Sequence, residues 1–206
     1  MHLNNDRKLT SLLFNPFVYI AGAQALGLGL AAILLAGLIG SWSHTHFDGV
    51  LDTHTGANAP LGVFLAEGLV DWLCLGVVLL IFGKIISKTA FRTIDLLGTQ
   101  ALARWPTIFI SLITLPKALQ RFSHHVLEEL TKPGGTVTFN TPDAVIFFAA
   151  IAAMIPLLCW VVALMYKSYS VSCNVKGGKA IGTFIAGLVL AEILSKIAIY
   201  SLLGLT

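Results

Sequence analysis

The chain has 206 residues, of which 56% are hydrophobic and only 11% are Asp, Glu, Lys or Arg, with a formal net charge of +3. A soluble domain carries about 25% charged residues. The shortfall, with a mean hydropathy of +0.85, excludes a soluble core of this size and predicts one polytopic α-helical membrane domain over 1–206, with no nucleic-acid partner expected. Cys74, Cys159 and Cys173 are scattered, odd in number and form no C-x-x-C pair, which argues against a disulfide framework or a cysteine-rich metal site.

The polar N-terminus carries Arg7 and Lys8 and runs into a first predicted span at 17–42. That span is too long for a signal-peptide core and is expected to remain in the mature protein. Ala23, Ala25, Gly27 and Gly29 would let a neighbouring helix approach closely, and Trp42 suits the far interface. The connection 43–60 has no Lys or Arg, whereas the next one carries Lys84, Lys88 and Arg92. The positive-inside rule therefore predicts a cytoplasmic N-terminus and an outer loop at 43–60.

The second span, 61–86, holds Glu67 and Asp71 four residues apart, on one helical face. A charge at membrane depth costs about 3 kcal/mol on insertion scales, so such residues turn to a bundle interior or a wet cavity. Two carboxylates one turn apart also resist joint ionisation. They suit a proton or cation site, or a structural clamp with Lys196 or Arg104.

The third segment, 91–116, contains a span at 95–116 that Arg104 and Pro106 interrupt. It either crosses as a broken helix or starts at the interface and re-enters, and Pro106 should kink it. Arg92 and Arg104 are expected to snorkel to the headgroups. Residues 117–130 predict an amphipathic interfacial helix, with Leu119, Phe122, Val126 and Leu130 on one face. Lys132-Pro133-Gly134-Gly135 stops it, and 136–140 alternates like a short strand. Thr141-Pro142-Asp143 starts the fourth span, 142–166, with an N-cap, a first-turn proline and an acid favoured by the helix dipole.

The fifth span, 178–205, carries Glu192 and Lys196 at i, i+4 in the favoured orientation. Glu67, Asp71, Arg104, Glu192 and Lys196 together form the predicted polar core and candidate ion site. Lys176 and Lys179 flank two glycines and are expected to meet anionic lipid headgroups. In the outer loop, His44, His46, Asp48, Asp52 and His54 are all metal-ligand types within eleven residues, which makes the loop a candidate Zn²⁺ site. His124 and His125 join that face if five spans cross. A catalytic zinc needs three ligands and a positioned base, and with no HExxH helix present no catalytic residue is assigned.

The run KSYSVSCNVKGGKAIGTFIAGLVLAEILSKI and the earlier GTQALARWPTIFISLITLP resemble the closing and central parts of the Yip-domain family, multi-pass proteins named for Ypt/Rab-interacting members. The resemblance covers roughly residues 10–205 and is nearest to bacterial members. It implies an all-α integral membrane fold of five transmembrane helices with an interfacial amphipathic helix, N-terminus inside, in a bacterial inner membrane. The acidic-Leu-Tyr-Gly-Pro motif of eukaryotic members is missing, so a Rab-type GTPase partner is not carried over. The expected function is non-enzymatic: lipid contact, a homo-oligomer or membrane-protein partner, or membrane organisation. A small proton- or ion-coupled transporter using Glu67, Asp71, Glu192 and Lys196 is the alternative, and a membrane metalloenzyme ranks third.

Overall fold

A computed structural model describes residues 10–139 and 141–203. Arg7, Lys8, the last residue of the expected 136–140 strand and the end of the expected fifth span lie outside the described residues. The fold is all-α, with seven main helices: α1 Gly22–Ser43, α2 Leu61–Ile86, α3 Thr93–Leu102, α4 Thr107–Ile113, α5 Lys117–Thr131, α6 Pro142–Ser172 and α7 Gly177–Leu203. Two-residue strands β1 (Thr45–His46) and β2 (His54–Thr55) pair antiparallel between α1 and α2. Five segments, counting α3 and α4 as one, are long and apolar enough to cross a membrane.

Several boundaries depart from expectation for local reasons. The first long helix starts at Gly22, not at 17, because Pro16–Val18 form a single 3₁₀ turn and Ala21 is extended before Gly22 at φ +59°. The fourth span, α6, continues past 166 to Ser172, where its last turns pack on α3. There the Ser168 hydroxyl donates to Thr99 Oγ1 at 2.7 Å, and Gln100 Nε2 donates to the Met165 carbonyl at 2.9 Å. Residues 135–139 run without strand pairing. The Thr141 cap is present, its hydroxyl accepting the Ala144 N–H at 3.2 Å.

The third segment runs the length of the bundle, side by side with α1 and in the same direction. Gly98 lies against the Gly22 carbonyl, Gly29 against Ala101 and Leu102, and the Ser111 hydroxyl donates to the Ala36 carbonyl. At the far end the Ser43 and Thr114 hydroxyls meet at 3.1 Å, and Gln120 of α5 donates to the Ser43 carbonyl. The third segment is thus a helix broken at 103–106 that spans the same length of the bundle as α1. One end of the bundle collects the 44–60 connection, α5 and the start of α6. The other collects 87–92 and 173–176, joined where the Ser87 hydroxyl donates to the Cys173 carbonyl.

The core, around Leu75, Leu79, Leu96, Leu164, Met165 and Tyr169, is ringed by apolar side chains that face outward. On α7, Ile181, Ile185, Val189, Ile193 and Ile197 recur every four residues and are all exposed. A stripe of this extent exceeds what soluble monomers leave bare.

The α1–α3 contact rests on glycine. A Cβ at Gly29 would stand 2.3 Å from the Ala101 carbonyl carbon and the Leu102 nitrogen, both backbone, whereas one at Gly27 would meet nothing within 4 Å. Gly29→Ala is expected to lower stability in detergent by about 1–3 kcal/mol through overpacking. Gly27→Ala should be neutral or slightly stabilising. Thermal unfolding of the two variants side by side checks the pair.

Candidate functional site

The site begins where α1 ends. His44 takes a left-handed conformation, φ +51°, that turns the chain back over the bundle end. The β1–β2 pairing then holds a compact loop whose residues 45–50 are all buried. This is not a solvated polar turn: its side chains and amides reach down to the acids of α2 and α7.

Glu67 is fully buried, with Oε1 2.7 Å from His46 Nδ1 and Oε2 accepting the Phe47 N–H at 3.1 Å. The other ring nitrogen, Nε2, lies 2.9 Å from the Ala57 carbonyl. Both nitrogens of His46 thus face acceptors, which requires the ring to donate from both or to share one proton with Glu67. Burial alone would lower the His46 pKa, but the Glu67 carboxylate and the Ala57 carbonyl outweigh it and the net direction is up. The ring stacks on Phe64 with centroids 4.5 Å apart, so its plane is fixed by packing as well as by hydrogen bonds.

Asp71, one turn further in, has different partners. The Ser195 hydroxyl of α7 donates to its Oδ1, and Arg104 Nη1 lies 3.7 Å from Oδ2. Arg104 comes from the turn between α3 and α4, before Pro106, whose missing N–H helps to break the helix there. It is 4% exposed. Of the two expectations for Arg104, snorkelling is overturned and the clamp on a buried acid is found: the Asp71 carboxylate compensates its charge where the helix is already open. Arg92 does stay exposed, 4.0 Å from Asp95. Asp71 Oδ2 and Arg104 Nε and Nη2 are buried without a hydrogen-bond partner.

The third contact joins the loop to α7. Glu192 Oε2 accepts the Leu51 N–H at 2.9 Å, and Lys196 bonds Asp52 while lying 3.9 Å from Glu192. Burial acts to raise the Asp52 pKa, yet the Lys196 hydrogen bond and charge prevail and hold it below the usual carboxylate range. A Cβ at Gly49 would come 2.3 Å from Glu192 Oε1; the missing side chain is what lets the loop backbone rest on that carboxylate. Lys196 therefore meets the loop, not Asp71, and the five residues of the predicted polar core are divided among three neighbouring pairings.

Of the five predicted metal-ligand residues, Asp48, Asp52 and His54 come together, their ligand atoms all within 4.8 Å of one another. His46 is committed to Glu67. His44 lines a separate cavity of about 280 Å³ with His124 and Gln120, while His125 Nε2 lies 3.1 Å from Thr138 Oγ1. Ser195 is a site residue that the sequence reading does not mark. Its place one residue before Lys196 and three after Glu192, on the inward face of α7, is the signal that could have found it.

No protein-family model matches the chain, and comparison with curated proteins and with solved structures finds no similar one.

Proposed function

We propose that the chain is a non-enzymatic, multi-pass integral membrane protein of Yip-like type, acting through contacts with lipid or with another membrane-embedded chain. The observation that carries this reading is that both acids buried in α2 are engaged by the protein's own groups, Glu67 by His46 and Phe47, Asp71 by Ser195 and Arg104. A polar centre occupied in this way clamps the outer loop to the bundle and leaves the outward surface for recognition. That surface includes an apolar cleft of about 530 Å³ between α6 and α7, lined by Leu158, Cys159, Val162, Tyr166, Ile181 and Phe184 among others. It also includes the exposed Leu127 and Leu130 of α5, which suit an interface bed.

The resemblance to bacterial members carries the assignment to a bacterial inner membrane. The cytoplasmic N-terminus rests on charge: Lys84, Lys88, Arg92, Lys176 and Lys179 cluster at the end opposite the loop. Single cysteines at Asn58→Cys and Lys88→Cys, in a chain cleared of its native cysteines, test this in intact cells. An impermeant maleimide should label position 58 directly and position 88 only after lysis; the reverse pattern would refute the orientation.

A small proton- or ion-coupled conductor is the second reading, favoured by Asp71 Oδ2 and Arg104 Nε and Nη2, which lie inside the bundle without a hydrogen-bond partner. Proteoliposome flux separates the two. The first reading expects proton and cation leak at the level of empty vesicles; a flux abolished by Asp71→Asn in a folded variant would replace it with the second.

A further inference from the structure

We propose that Asp48, Asp52 and His54 form a binding site for one divalent metal ion of the zinc class at the loop end of the bundle. The spacing fits the ion. His54 Nδ1 lies 3.3 Å from Asp48 Oδ1 and 3.7 Å from Asp52 Oδ1, against about 3.4 Å for the edge of a tetrahedron whose metal–ligand bonds are ~2.1 Å. Small shifts within a loop already folded to this shape would close the set.

A second, independent observation points to a ligand. The Asp48 side chain is only 9% exposed, and its Oδ1, aimed at His54, has no hydrogen-bond partner. The His54 ring nitrogen 3.3 Å away makes no hydrogen bond to it, and a cation placed between the two would satisfy the oxygen. Asp52 is oriented toward the same point. Lys196 takes its Oδ2, which fixes the carboxylate and leaves Oδ1 turned to His54. Such an outer contact orients a metal ligand in the way second-sphere hydrogen bonds do. His54 is 48% exposed, which gives an ion its entry path and leaves coordination positions open to solvent.

One imidazole with two carboxylates selects Zn²⁺ or Mn²⁺ over Mg²⁺ and Ca²⁺, which take all-oxygen sets. His44 and His124 line a different cavity and have no place in the site.

The test is Zn²⁺ competition against a chromophoric chelator, using the purified full chain in nanodiscs, with Mg²⁺ as the contrasting ion. The wild type should take up one Zn²⁺ per chain. Asp48→Asn and His54→Ala should each weaken it at least about tenfold, while His44→Ala and His124→Ala leave it unchanged. His54 is half exposed, so its substitution decides the matter should the Asp48 variant fail to fold. Absence of Zn²⁺ binding by the wild type, unchanged affinity in His54→Ala, or loss in His44→Ala would overturn the assignment.

Discussion

Glu67→Ala is expected to destabilise the folded protein by about 3–5 kcal/mol, the range found when one partner of a buried charged pair is removed. The carboxylate is fully buried and satisfies two groups through its two oxygens, the His46 ring and the Phe47 N–H. Without it, His46 keeps a buried ring donor facing nothing and the β1 end of the loop loses its anchor. Thermal unfolding in detergent measures the loss. The same pair sets a pH dependence. The folded pKa of His46 is raised above its ordinary value near 6.5, so its contribution to stability is complete below that value and is lost as pH rises through the higher folded one. Unfolding temperatures of the wild type should therefore fall as pH rises above the ordinary histidine value near 6.5, and this slope should flatten in His46→Ala.

Arg104→Met is expected to cost a similar amount, about 3–5 kcal/mol, because it strands the fully buried Asp71 with Ser195 as its remaining partner. Asp71→Leu alone should cost as much, leaving a guanidinium at 4% exposure without a counter-charge. The double variant Asp71→Leu/Arg104→Met should recover most of the loss, since removing both charges also removes the cost of desolvating them. Urea or thermal unfolding of the four proteins checks this. A double variant as unstable as the two single losses combined would mean that the pair is not coupled.

Some of this arrangement is legible in the sequence. Leu61–Ile86 is readable at both ends because a long apolar run, interrupted by Glu67 and Asp71, begins after Pro60 and closes among the basic residues 84–92. The inward direction of Glu67 and Asp71 is legible too, since the cost of charge in lipid leaves one reasonable direction for them. Their partners are not. The contacts that matter join residues far apart in the chain: Leu51 to Glu192, Asp52 to Lys196 and Asp71 to Ser195. No local pattern encodes a fold-back whose register depends on a bare glycine, Gly49, meeting a carboxylate on the last helix. Arg104 departs from expectation for a related reason. Its neighbours in sequence suggest an interface, whereas the break before Pro106 opens the third segment inside the bundle and leaves a buried acid within reach. The histidines of this loop read as one set because they are close in sequence, but although His46 and His54 stand opposite each other in the hairpin with stacked rings, their ring nitrogens face different partners. His46 goes to Glu67, His54 to Asp48 and Asp52, and His44 to a cavity with His124.

Three contacts hold the 44–60 loop on the bundle, and His46–Glu67 is the most buried of them. A double-mutant cycle on His46→Ala and Glu67→Ala, read from unfolding in detergent, isolates this coupling. A coupling energy of about 1 kcal/mol or more is the predicted result, within the range for residues in one hydrogen-bonded network. Additive losses, with the double variant equal to the sum of the singles, would show that the loop and α2 are energetically independent and would contradict the clamp.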